Sequence, residues 1–290
     1  MIAEHADQGF GEIWLKVSGL RVRCLTAGAA GPAVLLLHGS ALDAAGMSFA
    51  SAISALAAGC RVFAPDLPGF GESDPMPDGW GFADYSAFLL PLLTELDLQR
   101  ASLAGVSMGG GIALGFALEA PERVERLVLI DSACLDDALP GGQPTWFAVH
   151  ALGLSALQWR ILASSRQLTR WALRRAMPHR PEQVTSTLLD RAMRLLRKPG
   201  AAAAFRDWER REVGWRGLRT SYVDRLPALT LPTLILHGAD DPLVPVAVAE
   251  RAHRLIPNSR LEVIPDCGHL APLDQPAAVA RALSDFLMPA

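Results

Sequence analysis

Apolar positions along the chain follow two rhythms. Short compact runs, AVLLL (33–37), RVFA (61–64), SLAGV (102–106), RLVLI (126–130), TLILH (233–237) and RLEVI (260–264), predict buried strands. Between several of them lie stretches with apolar residues at helical spacing, and this alternation predicts βαβ units around a parallel sheet. The first segment departs from the pattern: EIWLKV and LRVRCL flank Ser18 and Gly19, which predicts a hairpin at the antiparallel edge of the sheet. The chain shows alternation without internal repeats.

The strand rhythm stops at about residue 133 and resumes after 220. The intervening stretch holds five of the seven tryptophans (Trp146, Trp159, Trp171, Trp208, Trp215) and helical-looking runs broken by Pro and Gly, such as SALQWRILASSRQLTRWALRRAM. It reads as an all-helical insertion at 133–220 that divides a core into 1–132 and 221–290. Tryptophans at helical spacing are most often packing residues, although an apolar substrate pocket would use the same side chains.

Composition narrows the class. With 290 residues, half of them apolar, and a net charge of −3, the chain can bury a large core and reads as a soluble globular protein. The stretch MIAEHADQGFGEIW has neither a basic start nor an apolar run, and no apolar stretch approaches the roughly 20 residues that span a bilayer. A cytoplasmic protein without stable membrane insertion is therefore expected. Cys24, Cys60, Cys134 and Cys267 are far apart and form no CxxC pair, so reduced, mostly buried thiols are expected, with no metal site and no disulfide framework.

Candidate chemistry begins at ASLAGVSMGGGIALGFA (101–117), where a buried strand ends at a lone serine and a Gly-rich helix follows. Gly105-Val106-Ser107-Met108-Gly109 matches GxSxG, the turn that presents a nucleophilic serine at the top of a sheet. Such a turn strains the backbone at Ser107 and brings strand and helix together, so bulky side chains are excluded at Gly105 and Gly109. The plainer account is a Gly-rich helix start that packs tightly or cradles a phosphate.

Context decides between them. A serine hydroxyl needs an imidazole to take its proton. Of the seven histidines, His269 fits best, in the loop DCGHLAP between a strand and the last helical run. His5 lies in the N-terminal stretch, His150 and His179 in the insertion, His253 in a helical run, and His237 at a strand end where a structural role is expected. The orienting acid should precede His269, and LPTLILHGADDPLVP offers Asp240 and Asp241 directly after a strand. An oxyanion hole would take one backbone N–H from Met108 and one from the loop HGSALDAAG, assigned to Ser40, with Gly39 easing the close approach and His38 bracing the loop.

LLLHGS (35–40), PDLPGFGESD (65–74), GVSMGG (105–110), LILHGADDPLVP (234–245) and CGHLAPLDQP (267–276) occur in one order, and over its whole length the chain resembles the α/β-hydrolase superfamily. The likeness is to compact bacterial members with a helical cap inserted after the sixth strand. It implies an α/β fold with a mostly parallel eight-stranded sheet flanked by helices, and it favours Asp241, the fourth position of GxxD, as the acid. It also makes the stretch after strand six, where Asp131 lies, an occasional alternative site for that acid. Ser107 stands where dehalogenases and epoxide hydrolases of this architecture have Asp.

Within the serine branch the motifs are similar to carboxylesterases and to hydrolases of meta-cleavage products, which break carbon–carbon bonds. The second group typically has Asn before the nucleophile, Trp after the histidine and an Arg on the cap, whereas this chain has Val106 and Leu270 at the first two positions. Ester hydrolysis is therefore expected, without a cofactor, on a small-molecule ester, with no nucleic-acid partner and with a homodimer left open. Cofactor-free haloperoxidases rank behind both, and a hydrolase-fold receptor with little turnover is the alternative of another class. Charge adds one further expectation: the insertion carries 15 Lys and Arg against 7 Asp and Glu, the rest of the chain 12 against 23, so a basic cap should face an acidic core.

Overall fold

The computed structural model describes residues 10–76, 79–136, 142–151 and 154–288. His5 therefore lies outside the described residues. Eight strands form one sheet: β1 (Gly11–Val17), β2 (Leu20–Ala27), β3 (Ala33–Leu37), β4 (Arg61–Pro65), β5 (Ala101–Val106), β6 (Val124–Ile130), β7 (Thr233–Gly238) and β8 (Ser259–Ile264). Their order across the sheet is β1-β2-β4-β3-β5-β6-β7-β8. Only β2 runs against its neighbours, pairing antiparallel with both β1 and β4. The expected hairpin is present, and Ser18 and Gly19, with φ of 50° and 87°, supply the left-handed turn that joins β1 to β2.

The apolar runs work because a strand sends successive side chains to opposite faces. Leu35, Leu37, Leu103, Leu127, Leu129 and Ile235 join the core on one face. Their neighbours Val34, Leu36, Ala104, Val128, Ile130 and Leu236 join the core on the other. Both faces are thus covered, which is why these strands read as continuous hydrophobic runs. Each branched side chain fully removed from water contributes about 1.5–3 kcal/mol relative to exposure.

Helices α1 (Ala50–Leu56), α2 (Phe82–Glu95) and α3 (Met108–Glu119) precede or follow the early strands. Between β6 and β7 come α4 (Leu154–Ser164), α5 (Arg166–Ala176), α6 (Ser186–Arg197) and α7 (Ala201–Glu212). After β7 come α8 (Val246–Leu255) and, after β8, α9 (Pro276–Leu287). Helices α2, α3 and α8 pack on one face of the sheet, α1 and α9 on the other.

The stretch between β6 and β7 is helical in its described part, apart from one isolated bridge between Val213 and Leu218. It owns a small core of Trp159, Leu173, Met177, Leu189, Met193 and Leu196, joined by Met47 from the first part of the chain. In α6 the buried residues are Leu189, Ala192, Met193 and Leu196, an i, i+3, i+4, i+7 stripe that leaves the arginines on the other side. Thr185 and Ser165 cap α6 and α5 by accepting from the amides of Leu188 and Leu168. Among the described residues no helix is long and apolar enough to cross a membrane. All four cysteines are free and buried.

Candidate active site

The candidate residues sit at the carboxyl ends of parallel strands, the edge where an α/β sheet opens its crevice. Ser107 follows β5 and has φ 52° and ψ −114°, a backbone state that costs a residue with a side chain about 1–3 kcal/mol. Its surroundings hold it there. The Ser107 N–H donates to Ile130 O at 2.9 Å, and its carbonyl accepts from the amides of Gly111 (3.1 Å) and Ala133 (3.0 Å). Space requires the flanking glycines: a Cβ on Gly105 would collide with Gly109 O, and one on Gly109 with Leu37 O and His38 O.

His269 follows β8. Its Nδ1–H donates to Asp241 Oδ2 at 2.8 Å, which leaves Nε2 to accept from the Ser107 hydroxyl at 2.9 Å. The other oxygen of Asp241 accepts from the amides of Leu243 (2.7 Å) and Val244 (2.9 Å), so the proline-bounded loop after β7 grips its own carboxylate. Asp240 turns outward instead and pairs with His179 at 3.0 Å. Burial opposes the imidazolium of His269, but the hydrogen bond and charge of Asp241, together with the charge of Asp131, outweigh it and raise the pKa above the ordinary imidazole value.

The loop after β3 passes against the nucleophile, since a Cβ on Gly39 would lie 3.6 Å from Ser107 Cβ. His38 braces this loop. Its Nε2 accepts from the Leu67 N–H at 2.9 Å, and its Nδ1–H donates to Gly39 O at 2.7 Å. The Gly39 N–H is engaged by Asp43 Oδ2 at 2.7 Å, directly before Ser40, whose amide is the expected second oxyanion donor. Met108 is the first residue of α3, where backbone N–H groups have no acceptor within the helix.

Two buried carboxylates that shape these loops were not picked out from the sequence. Asp43 holds Gly39 and also accepts from Ser48 Oγ at 2.6 Å. Asp274 Oδ2 accepts from the Gly268 N–H at 2.7 Å, beside His269. The signal was available in both places as a single acid among small and apolar residues, in ALDAAG and LAPLDQP.

Asp131, after β6, does not bond to His269. Its Oδ1 accepts from the Gly238 N–H at 2.9 Å and its Oδ2 from the Ala271 N–H at 3.0 Å. His237 is fully buried and donates Nε2–H to Val244 O at 2.8 Å. His150 contacts Val213 O, and His253 contacts Ser259. Among the described residues two groups bring three metal-type ligand atoms within 4.8 Å of one another: buried Asp131, His237 and Asp241, and exposed His179, Asp240 and Asp266. In the first group the carboxylates are already committed to backbone amides and to His269.

The model of the α/β-hydrolase fold matches residues 32–276, and the chain belongs to this family. It is 30% identical to the 2-hydroxy-6-oxononadienedioate/2-hydroxy-6-oxononatrienedioate hydrolase of Cupriavidus pinatubonensis, over 92% of this chain and 90% of that one. Among solved structures it resembles a mutant meta-cleavage product hydrolase from Pseudomonas fluorescens IP01, with 25% identity and a TM-score of 0.78 over 94% of this chain and 96% of that one. It also resembles a thermophilic esterase from Thermogutta terrifontis, with 28% identity and a TM-score of 0.73 over 95% of this chain and 97% of that one.

Proposed function

We propose that the protein is a serine hydrolase that cleaves small or medium, largely apolar carboxylic esters. One observation carries this reading: Ser107 Oγ, His269 and Asp241 form a continuous hydrogen-bonded series at 2.9 and 2.8 Å on a strained turn. In the first half-reaction His269 Nε2 takes the Ser107 proton while Oγ bonds to the ester carbonyl carbon, and the carbonyl electron pair moves onto oxygen. The amides of Ser40 and Met108 receive that oxyanion. Collapse expels the alkoxide, which leaves with the proton from His269, and the acyl group stays on Ser107.

The second half-reaction repeats these steps with water. His269 takes a proton from the water as its oxygen attacks the acyl carbon, and collapse returns the Ser107 hydroxyl and a carboxylic acid. Asp241 keeps the proton on Nδ1 in the resting state and stabilises the imidazolium that forms twice per cycle. The helical stretch 133–220 caps the site and supplies much of the acyl or aryl pocket.

Ester substrates are preferred because Val106 and Leu270 stand where the carbon–carbon hydrolases have Asn and Trp. The second reading, hydrolysis of a meta-cleavage dienoate, is favoured by the Cupriavidus relative and the Pseudomonas structure. A fluorophosphonate probe should label the wild-type protein. The Ser107→Ala variant should lose labelling together with at least about four orders of magnitude in turnover. On p-nitrophenyl esters of graded chain length, kcat/KM should exceed that on a dienoate. Efficient dienoate cleavage with negligible esterase activity reverses the substrate assignment, and full activity in Ser107→Ala ends the serine mechanism.

A further inference from the structure

A second carboxylate lies behind the triad, and the proposed mechanism gives it no role. Asp131 is fully buried, at φ 44°, in the left-handed region that a residue with a side chain enters at a cost. Its own amide donates to Leu236 O at 3.0 Å, fixing it to β7. Its two oxygens then reach two different segments: Gly238, the last residue of β7 and three before Asp241, and Ala271, two residues after His269. The segments touch each other as well. A Cβ on Gly238 would collide with Gly268 O and lie 2.6 Å from Cys267 O.

The charged and titratable groups around Asp131 are His237 on β7, Asp241 on the loop after it, and Cys267 and His269 on the loop after β8. His237 Nδ1 lies 3.9 Å from Asp131 Oδ1 and is a buried ring nitrogen with no hydrogen-bond partner. Because Nε2–H is used on Val244 O, this Nδ1 is an acceptor turned toward a carboxylate. Two carboxylates and two imidazoles thus lie buried together.

From this geometry we propose that Asp131 is a positioning residue: it clamps the segment that carries Asp241 to the segment that carries His269, and its buried carboxylate adds to the negative charge around His269. The inference rests on the triad reading above. Burial is the largest influence on Asp131 itself and, with the charge of Asp241, lifts its pKa to about 7 against the opposing pull of His269 and the two amides. The charge of each group acts on the other, Asp131 raising His269 and His269 lowering Asp131, so the two titrate as a coupled pair. When Asp131 is ionised it stabilises the imidazolium. When it is protonated that support is withdrawn.

The test combines one measurement on the unaltered protein with one on a variant. Followed by NMR, the His269 imidazole of the wild type should titrate in two coupled steps, one of them near pH 7. In Asp131→Asn, which keeps the size and loses the charge, the titration should become a single step displaced to lower pH by about one unit. The acid limb of the fluorophosphonate labelling rate should move with it. A clamp alone would lower that rate without displacing the limb. A single ordinary His269 step in the wild type, or an unmoved midpoint in Asp131→Asn, overturns the proposal. Should Asp131→Asn fail to fold, the wild-type titration still decides. Loss of the serine mechanism would appear separately, as labelling that survives Ser107→Ala.

Discussion

The sheet with its strand-end loops and the helical insertion obey different kinds of constraint. At the strand ends, backbone meets backbone. Gly105, Gly109 and Gly238 each stand where a single added carbon would collide with a carbonyl oxygen of another segment. In the insertion, side chains meet side chains. Trp159 is buried with its ring 5.6 Å from that of Phe205, whereas Trp171 is 62% exposed. The first kind of constraint admits one residue type and leaves a motif. The second admits any apolar residue of suitable size and leaves only a periodicity.

The widest gap should appear between two adjacent acids, one on each side of this divide. Asp241 faces His269, and Asp240 faces His179 of the insertion. Asp241→Asn should lower kcat/KM for an ester by about 10³–10⁴, because the amide cannot hold the working tautomer. Asp240→Asn should change it less than threefold, since an exposed pair contributes about 0–1 kcal/mol. The wild-type rate should fall on acidification as His269 takes a proton, with the fall centred above pH 6.5 because its folded pKa is raised. Equal losses in the two variants would erase the distinction.

A middle-sized effect is expected at the seam. Gly268 sits in the histidine loop, and a Cβ there would collide with Ala176 O at the end of α5, the same carbonyl that accepts the His269 N–H at 2.9 Å. Gly109→Ala drives a carbon into the strand-end backbone and should cost about 3 kcal/mol or more of stability. In Gly268→Ala the carbon meets Ala176 O and the Pro178 ring, so thermal unfolding should show a loss of about 1–3 kcal/mol, smaller than that of Gly109→Ala, while the rate drops roughly tenfold as His269 loses its brace. If both variants lose the same stability, the seam is as rigid as the sheet.

This division explains what could be read in advance. The strands were legible because burial on both faces forces unbroken apolar runs. Ser107, Asp241 and His269 were legible because each lies in a short motif with a fixed place on the sheet edge. Between Asp240 and Asp241, which follow the same strand, only the resemblance favoured Asp241 through its place in GxxD; the side-chain directions that separate the two in the structure are not written in the sequence. Asp43 and Asp274 escaped for a related reason, because a carboxylate that grips a backbone amide looks in sequence like any loop acid. In the insertion only the helices could be anticipated, because arginines between apolar positions suit many packings equally well.

The smallest expected effect concerns those arginines. Part of the insertion's positive charge is already answered locally: Arg166 pairs with Asp190, Arg211 with Asp84 at 3.5 Å, and Lys198 with Glu72 at 3.8 Å. Such partly exposed pairs mark the solvated faces of amphipathic helices, and on that account salt should act alike on all substrates. Yet Arg194, Arg197 and Lys198 also line a groove of about 480 Å³ shared with Arg166, Glu72 and Asp190, where cations outnumber acids by four to two. Steering by this excess would raise the local concentration of an anionic ester and weaken as the Debye length shrinks to about 8 Å at physiological ionic strength. The comparison needs two esters of equal size, one neutral and one bearing a free carboxylate. A severalfold fall in kcat/KM with added salt for the anionic ester alone would make the insertion an electrostatic guide. Equal responses would leave its arginines as solvated helix faces.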